Sequence, residues 1–171
     1  MDLWVDPAAD EIWGAVGVVE SGQNVRDVRP RGPADWERLR QAAAVLSRGA
    51  SLLAEAPPVG SNGHGLLADA DTPGIRTADE IQADIRRDPA RFRRAAAALG
   101  SAAGEASAAI DARDPDALLE AGGRIDAACE GCHSAYWYPR SPPRTLPSLE
   151  SFARLGSGAA DAGPNPRAPG S

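Results

Sequence analysis

The residues best suited to chemistry are two cysteines and a histidine in the last third of the chain. Cys129, Cys132 and His133 form the pattern C-x-x-C-H, which uses both cysteines and one of the two histidines in the sequence. On a helix, thiols three residues apart share one face, so both can add to vinyl groups of one porphyrin while the adjacent imidazole reaches the iron. The pattern is typical of covalent haem attachment. It predicts one haem c per chain, held by Cys129 and Cys132, with His133 as proximal iron ligand.

Other interpretations of the two cysteines are a thioredoxin-like dithiol, half of a zinc site, or a structural disulfide. A thioredoxin-like dithiol would lie beside a βαβ pattern, which the sequence lacks. Zinc needs further ligands, and the only other histidine, His64, is far away in the sequence. Neither of these two interpretations explains why His133 directly follows Cys132. A helical scaffold with a disulfide and no haem stays open and predicts a colourless protein.

Length and charge limit the architecture and the partners. The 171 residues amount to one domain, rich in alanine and poor in β-branched residues, so helix is favoured over sheet. A net charge of −6 argues against nucleic acid binding and favours a basic redox partner. No stretch has the roughly 20 apolar residues that span a bilayer, and no signal peptide is visible. Because this kind of haem attachment occurs outside the cytoplasmic membrane, we expect a soluble periplasmic protein, either in its mature form or with a truncated start.

Apolar residues recur at helical spacing in four long segments. The first helix is predicted from Pro7 to Ser21, with Asp6 as its N-cap. The second ends before Pro57. The third and fourth begin at Asp88 and Asp114, each a capping aspartate followed by proline. The apolar stripes of the second, third and fourth helices are Trp36, Leu39, Ala43, Leu46, Ala50 and Leu53; Phe92, Ala96, Leu99, Ala103, Ala106 and Ile110; and Leu118, Ala121, Ile125, Ala128, Cys132 and Tyr136.

The remaining segments connect or follow these helices. Residues 57–77 are rich in Gly, Pro, Asn and Asp and are predicted to form a long loop. A capping box at Thr77 and Glu80 then predicts a short helix that ends near Arg87. Residues 139–171 are dense in Pro, Ser, Gly and Ala, which predicts a partly disordered tail with one short docking helix in its first half. The predicted organisation is therefore a haem domain over residues 1–138 and a C-terminal tail over residues 139–171.

Four amphipathic helices with C-x-x-C-H near the end of the last one resemble the cytochrome c′ family, including its low-spin relatives. The resemblance covers about residues 1–138 and implies an all-α fold, an antiparallel up-down-up-down four-helix bundle with covalent haem on the last helix. It implies thioether bonds at Cys129 and Cys132 and iron ligation by His133, and it allows a homodimer formed through the first two helices. Many members carry a basic residue shortly after the histidine, whereas residues 134–138 contain none.

The ligand on the other side of the iron separates two functions. In low-spin relatives a methionine near the start of the first helix binds the iron, which suits electron transfer, and the only methionine here is Met1. Met1 is therefore the candidate sixth ligand. His64, in a Gly-His-Gly setting, is a third option whose ordering would cost entropy. In high-spin relatives an apolar lid covers the position and gases such as nitric oxide or carbon monoxide bind; the candidate lid residues are Val5, Ile12, Trp13 and Val16.

The sequence therefore favours a c-type cytochrome that carries electrons between redox partner proteins, with a five-coordinate gas-binding protein as the alternative. No catalytic triad, phosphate-binding loop or carboxylate-rich metal site is present in the sequence, so no enzymatic activity is expected. Tyr136, Trp137 and Tyr138 are expected to cover one porphyrin edge. The pairs Arg86-Arg87 and Arg93-Arg94 are expected on solvated helix faces, with one arginine available to a haem propionate.

Overall fold

The computed structural model describes residues 4–21, 24–55, 67 and 72–138. Met1, His64, most of the predicted loop and the predicted tail over 139–171 lie outside these residues. The elements follow in the order α1 (Val5–Ala15), β1 (Gly17–Ser21), β2 (Asn24–Val28), α2 (Pro33–Ala54), α3 (Ala78–Arg87), α4 (Pro89–Ala112) and α5 (Pro115–Tyr136). The fold is predominantly helical, as predicted. Within the described ranges, no helix combines the length and the apolar character needed to cross a bilayer.

The helices after the predicted loop begin where their capping residues indicate. Thr77 accepts a hydrogen bond from the backbone N–H of Glu80, whose side chain accepts one from the N–H of Thr77, so the predicted capping box is present. Asp88 accepts a hydrogen bond from the N–H of Arg91 at 2.8 Å. Asp114 accepts two from backbone N–H groups of α5, each at 3.0 Å. Asp88 also ends α3, so one residue is both the C-cap of α3 and the N-cap of α4.

The first helix is shorter than predicted and starts earlier. Trp4 occupies its N-cap position without a side-chain cap, and Asp6 lies in the first turn, so the prediction of Asp6 as cap is wrong. The predicted continuation to Ser21 is also wrong: the helix ends at Ala15, Val16 is already extended with a φ of −139° and a ψ of 144°, and Gly17 then adopts a φ of +132°, which glycine tolerates. The β-branched residues that follow favour an extended chain, and β1 pairs antiparallel with β2 from Gly17↔Val28 to Ser21↔Asn24.

Helices α1, α2, α4 and α5 share one hydrophobic core. α2 packs against α4, α4 packs against α5, and α1 lies against both α2 and α5. Burying a large aliphatic side chain stabilises a fold by about 1.5–3 kcal/mol, so this core is the main source of stability. Its largest fully buried side chains are Ile12, Leu39, Leu46, Ile110, Leu118 and Ile125.

Contacts near the helix termini show which ends are adjacent. Val5, at the start of α1, lies against Gly49 near the end of α2. Leu53, at the end of α2, and Phe92, at the start of α4, line one cavity together with residues from the last turns of α5. We call this end of the molecule the cysteine end. Towards the opposite end, interhelical ion pairs join Arg38 to Glu11 (3.3 Å), Arg40 to Asp111 (3.0 Å), and Arg124 to Glu105.

Helix α3 covers the cysteine end of α4 and α5. It is preceded by Arg76, whose backbone N–H donates a hydrogen bond to the carbonyl of Trp137 at 2.9 Å. The guanidinium of Arg76, only 12% exposed, pairs with Asp84 of α3. These bonds hold the start of α3 against the end of α5. A second apolar cluster then joins α3 to α4 and α5, and its buried members are Ile81, Ile85, Phe92 and Tyr136.

Candidate functional site

Cys129 and Cys132 lie in the last two turns of α5 and are both half-buried. Cys129 packs against the main core, whereas Cys132 packs against the second cluster, which α3 completes. Helical spacing places both thiols on one face of α5, the face that the apolar stripe of the sequence indicates. The two cysteines therefore lie where the two apolar clusters of the molecule meet.

A small apolar cavity brings the cysteines and the histidine together with α2 and α4. Its volume is about 20 Å³, and Cys129, Cys132 and His133 line it from α5. Leu53 closes it from α2 and Phe92 from α4. Small side chains form much of the remaining wall; they are Ala95, Ala96 and Ala128.

Two aromatic residues fix the surroundings of the His133 imidazole. The ring centroid of His133 is 5.7 Å from that of Trp137 and 6.3 Å from that of Tyr138. The hydroxyl of Tyr138 donates a hydrogen bond to the carboxylate of Glu130. Burial and the bond to Glu130 raise the pKa of Tyr138 to about 12, so the hydroxyl keeps its proton at neutral pH. Tyr138, two residues after the end of α5, is thereby tied to the turn that carries the cysteines.

Burial raises the pKa of both thiols. For Cys129 the negative charges of Asp6 and Asp126 add to the effect of burial, whereas for Cys132 burial is the cause. A nucleophilic dithiol needs a thiol whose pKa is lowered by nearby positive charge or a helix N-terminus. The surroundings of Cys129 and Cys132 have the opposite effect, so they do not fit the thioredoxin-like alternative.

Tyr136 places a polar atom inside the apolar end of the site. The residue is only 5% exposed, and its ring stands edge-on to Phe92 with the centroids 5.4 Å apart. Its buried hydroxyl has no hydrogen-bond partner among the described residues. A buried hydroxyl without a partner costs free energy.

Several of the residues that the sequence predicts opposite His133, on the second side of a haem iron, lie within the described ranges. Met1 and His64 fall outside the described residues, so neither is placed. Of the proposed lid residues, Val5, Ile12 and Val16 are buried in the main core. Trp13 is 37% exposed, and its Nε1–H donates a hydrogen bond to the carbonyl of Gly122 at 3.0 Å, which joins α1 to α5.

Sequence reasoning missed four residues that shape the site. Leu53 and Phe92 were assigned to apolar stripes but not to the site; their positions at the last and first places of those stripes could have indicated it. Glu130 and Arg76 were not singled out. Their partners, Tyr138 and Asp84, are identified only by the folded arrangement, because no local sequence pattern indicates these side-chain pairs.

Comparison with known protein families shows to which family the chain belongs. The family model described as Cytochrome C′ matches residues 20–137, more than half of the chain. The chain belongs to the cytochrome c′ family. It is therefore a c-type cytochrome of a family that binds haem c covalently, and the matched range includes the C-x-x-C-H residues of this cytochrome c′. No curated protein and no solved structure shows significant similarity to the chain.

The donor set suits the haem of a cytochrome c′. Two thiols can form the covalent links, an imidazole can bind iron, and apolar walls exclude water. In the part of the chain that the structure describes, no group of three or more His, Cys, Asp or Glu side chains is arranged to hold a metal ion by itself.

Proposed function

We propose that Cys129 and Cys132 bind one haem c through thioether bonds and that His133 is its proximal iron ligand. The observation that carries this proposal is that both thiols and the imidazole line the same apolar cavity between α2, α4 and α5. When bound, the haem supplies an iron that changes between the ferric and ferrous states. The chain holds this group at the end of α5, shields it from water with apolar side chains, and restricts the His133 ring through Trp137 and Tyr138.

The same proposal includes the topology of the helices. We infer that α1, α2, α4 and α5 form an antiparallel up-down-up-down four-helix bundle, with α3 added at the cysteine end. The adjacent helix ends support it, because Val5 lies beside Gly49 and Leu53 shares a cavity with Phe92. Cytochromes c′ are themselves bundles of this topology.

The function that this site supports best is electron transfer to and from redox proteins in the periplasm. Cys132, His133 and Trp137 are only half-buried, so a cofactor edge held there would lie close to the surface. Electron transfer needs such an approach and no substrate pocket. The chain is accordingly proposed to be an electron carrier and not an enzyme. A homodimer through α1 and α2 remains a prediction.

Gas binding is a second candidate, because the described part of α1 turns only apolar side chains towards the core. These are Val5, Ala8, Ala9 and Ile12, none of which can coordinate iron. Such a face would shield the second side of the iron, where a small gas could then bind. Electron transfer with six-coordinate iron instead requires a ligand such as Met1.

Spectroscopy of protein matured with haem-attachment machinery tests both functions. We expect a coloured protein whose haem stays with the polypeptide after denaturation in acidified solvent. The double variant Cys129→Ala/Cys132→Ala is the control and should lose covalent haem. Sharp low-spin bands in the reduced protein support the electron carrier, whereas a broad high-spin spectrum that shifts with carbon monoxide supports gas binding. A pale wild-type protein with free or mutually bonded sulfurs would overturn the haem proposal.

A further inference from the structure

The junction of α3 and α4 carries a dense group of exposed arginines, although the whole chain has a net charge of −6. All five side chains fall within residues 86–94 and are exposed to solvent. The local charge is therefore opposite in sign to that of the molecule. We call these residues the arginine patch; they are Arg86, Arg87, Arg91, Arg93 and Arg94.

Two neighbouring carboxylates, those of Asp84 and Asp88, neutralise the arginine patch only in part. Asp84 pairs with the largely buried Arg76 as well as with Arg87, the latter at 2.5 Å. Asp88 caps α4 and reaches Arg94 only at 4.0 Å. The other guanidinium groups form no ion pair with any residue that the structure describes, and they belong to Arg86, Arg91 and Arg93.

The arginine patch lies at the cysteine end of the molecule. The guanidinium carbon of Arg91 is 5.5 Å from the ring centroid of Tyr136, which follows Cys132 by one helical turn. Phe92, between patch residues on α4, lines the cavity that contains both thiols and His133. The uncompensated positive charge is thus beside the place where a cofactor held by the cysteines would approach the surface.

We propose that the arginine patch is the docking surface for a redox partner protein that presents an acidic face. The inference rests on the proposed electron-transfer function and replaces the expectation of a basic partner, which used only the net charge. Charges further away than a Debye length, about 8 Å at physiological ionic strength, are largely screened. Encounter is therefore steered mainly by the charges close to the docking surface, and the arginine patch carries a net positive charge.

The chemistry of the patch favours an acidic protein over an anionic membrane. Guanidinium groups bind carboxylates through paired, directional hydrogen bonds, and arginine is enriched in protein interfaces. A helix that binds a membrane surface also inserts large apolar side chains. No large hydrophobic side chain of α3 or α4, both fully described, is exposed. Carboxylates of a protein surface are thus the better complement.

The kinetics of a small charged oxidant test the local field. The reduced, haem-loaded protein is mixed with the anion hexacyanoferrate(III) in a stopped-flow instrument. In the variant Arg86→Glu/Arg93→Glu we expect the second-order rate constant to fall about threefold or more at roughly 0.1 M ionic strength, where the Debye length is about 10 Å, and to approach the wild-type value at about 0.5 M salt. The cation tris(phenanthroline)cobalt(III) should show the opposite change.

A matched control separates the local field from the change in net charge. Arg26 and Arg31 are exposed and form no ion pair among the described residues, and they lie near the start of α2, one helix length from the cysteine end. A helix of 22 residues spans about 33 Å, which is about three Debye lengths at 0.1 M ionic strength. Arg26→Glu/Arg31→Glu should therefore change the rate constant by less than about twofold, although both variants alter the net charge equally.

Poly-L-glutamate and lipid vesicles identify the kind of partner. Poly-L-glutamate should slow the wild-type reaction with hexacyanoferrate(III) and leave Arg86→Glu/Arg93→Glu unaffected. Equal slowing of the variant and the control would overturn the proposal. So would patch-dependent sedimentation with phosphatidylglycerol vesicles in the absence of any effect of poly-L-glutamate. Protein that reacts with neither oxidant would instead contradict electron transfer itself, so the two failures are distinguishable.

Discussion

Shortening one buried side chain of α5 tests the packing that holds the site. Ile125 lies one helical turn before Cys129, and its side chain is fully buried. Ile125→Ala removes three carbon atoms, worth about 0.8 kcal/mol each on transfer from water, and the cavity left behind adds to the loss. We expect the free energy of unfolding to fall by about 3–4 kcal/mol. Ile125→Val removes one carbon and should cost about 1 kcal/mol.

Urea denaturation of the haem-loaded protein measures these differences. Helix content is followed by circular dichroism and the haem by absorbance, and coincident curves would justify a two-state analysis. Leu119→Ala is the control, because Leu119 lies on the same helix but is 51% exposed, so it should cost less than about 0.5 kcal/mol. If Ile125→Ala costs no more than Leu119→Ala, α5 does not pack against the core as described here.

Three further variants test contacts elsewhere in the fold. The hydrogen bond from Arg76 is the main cause that lowers the pKa of Asp84 below its usual 3.8. Ionised Asp84 therefore stabilises the fold above pH 3.8, and this stabilisation is lost as the pH falls through the pKa of Asp84 in the folded protein. Urea midpoints between about pH 2.5 and 6 should thus fall more steeply on acidification in the wild type than in Asp84→Asn, and equal slopes would refute this. Trp13→Phe removes the hydrogen bond to Gly122 and should cost about 1–2 kcal/mol in urea denaturation; a loss no larger than that of Trp4→Phe, at a residue 65% exposed, would contradict the contact. Asp114→Ala removes two capping bonds of α5 and should lower the thermal midpoint by an amount equivalent to about 1 kcal/mol, whereas Asp114→Asn should retain most of it; identical losses would argue against the cap.

Two features could be predicted from the sequence because their determinants are local. They are the first residues of the helices that follow the long predicted loop, and the apolar faces of the helices. A cap such as Asp88 or Asp114 bonds to backbone groups two or three residues away, so the sequence contains both partners. The stripe of α2 repeats over several turns, which leaves no other period that fits it. The position of Cys129 and Cys132 near the end of the last helix follows from the same two kinds of signal.

The hairpin after α1 could not be predicted in this way. A short apolar segment such as residues 16–19 fits a helix or a strand equally well, and the outcome depends on Gly17 and on pairing with β2.

The ion-pair partner of Arg76 is likewise set by the tertiary fold. Asp84 pairs with Arg76 and Arg87, so Arg86 and Arg93, which the sequence indicates as members of solvated arginine pairs, have no ion-pair partner among the described residues. The net charge, which favours a basic partner, does not describe this local charge.

The junction at Asp88 leaves no spare residue between two helices, since the same residue ends α3 and begins α4. The angular setting of α3 on α4 is consequently determined by chain length at that point. One added or deleted residue would turn α3 by about 100° about its axis and carry Ile81 and Ile85 away from Phe92. The cover over this end of the molecule therefore depends on the number of residues at the joint as much as on their identity.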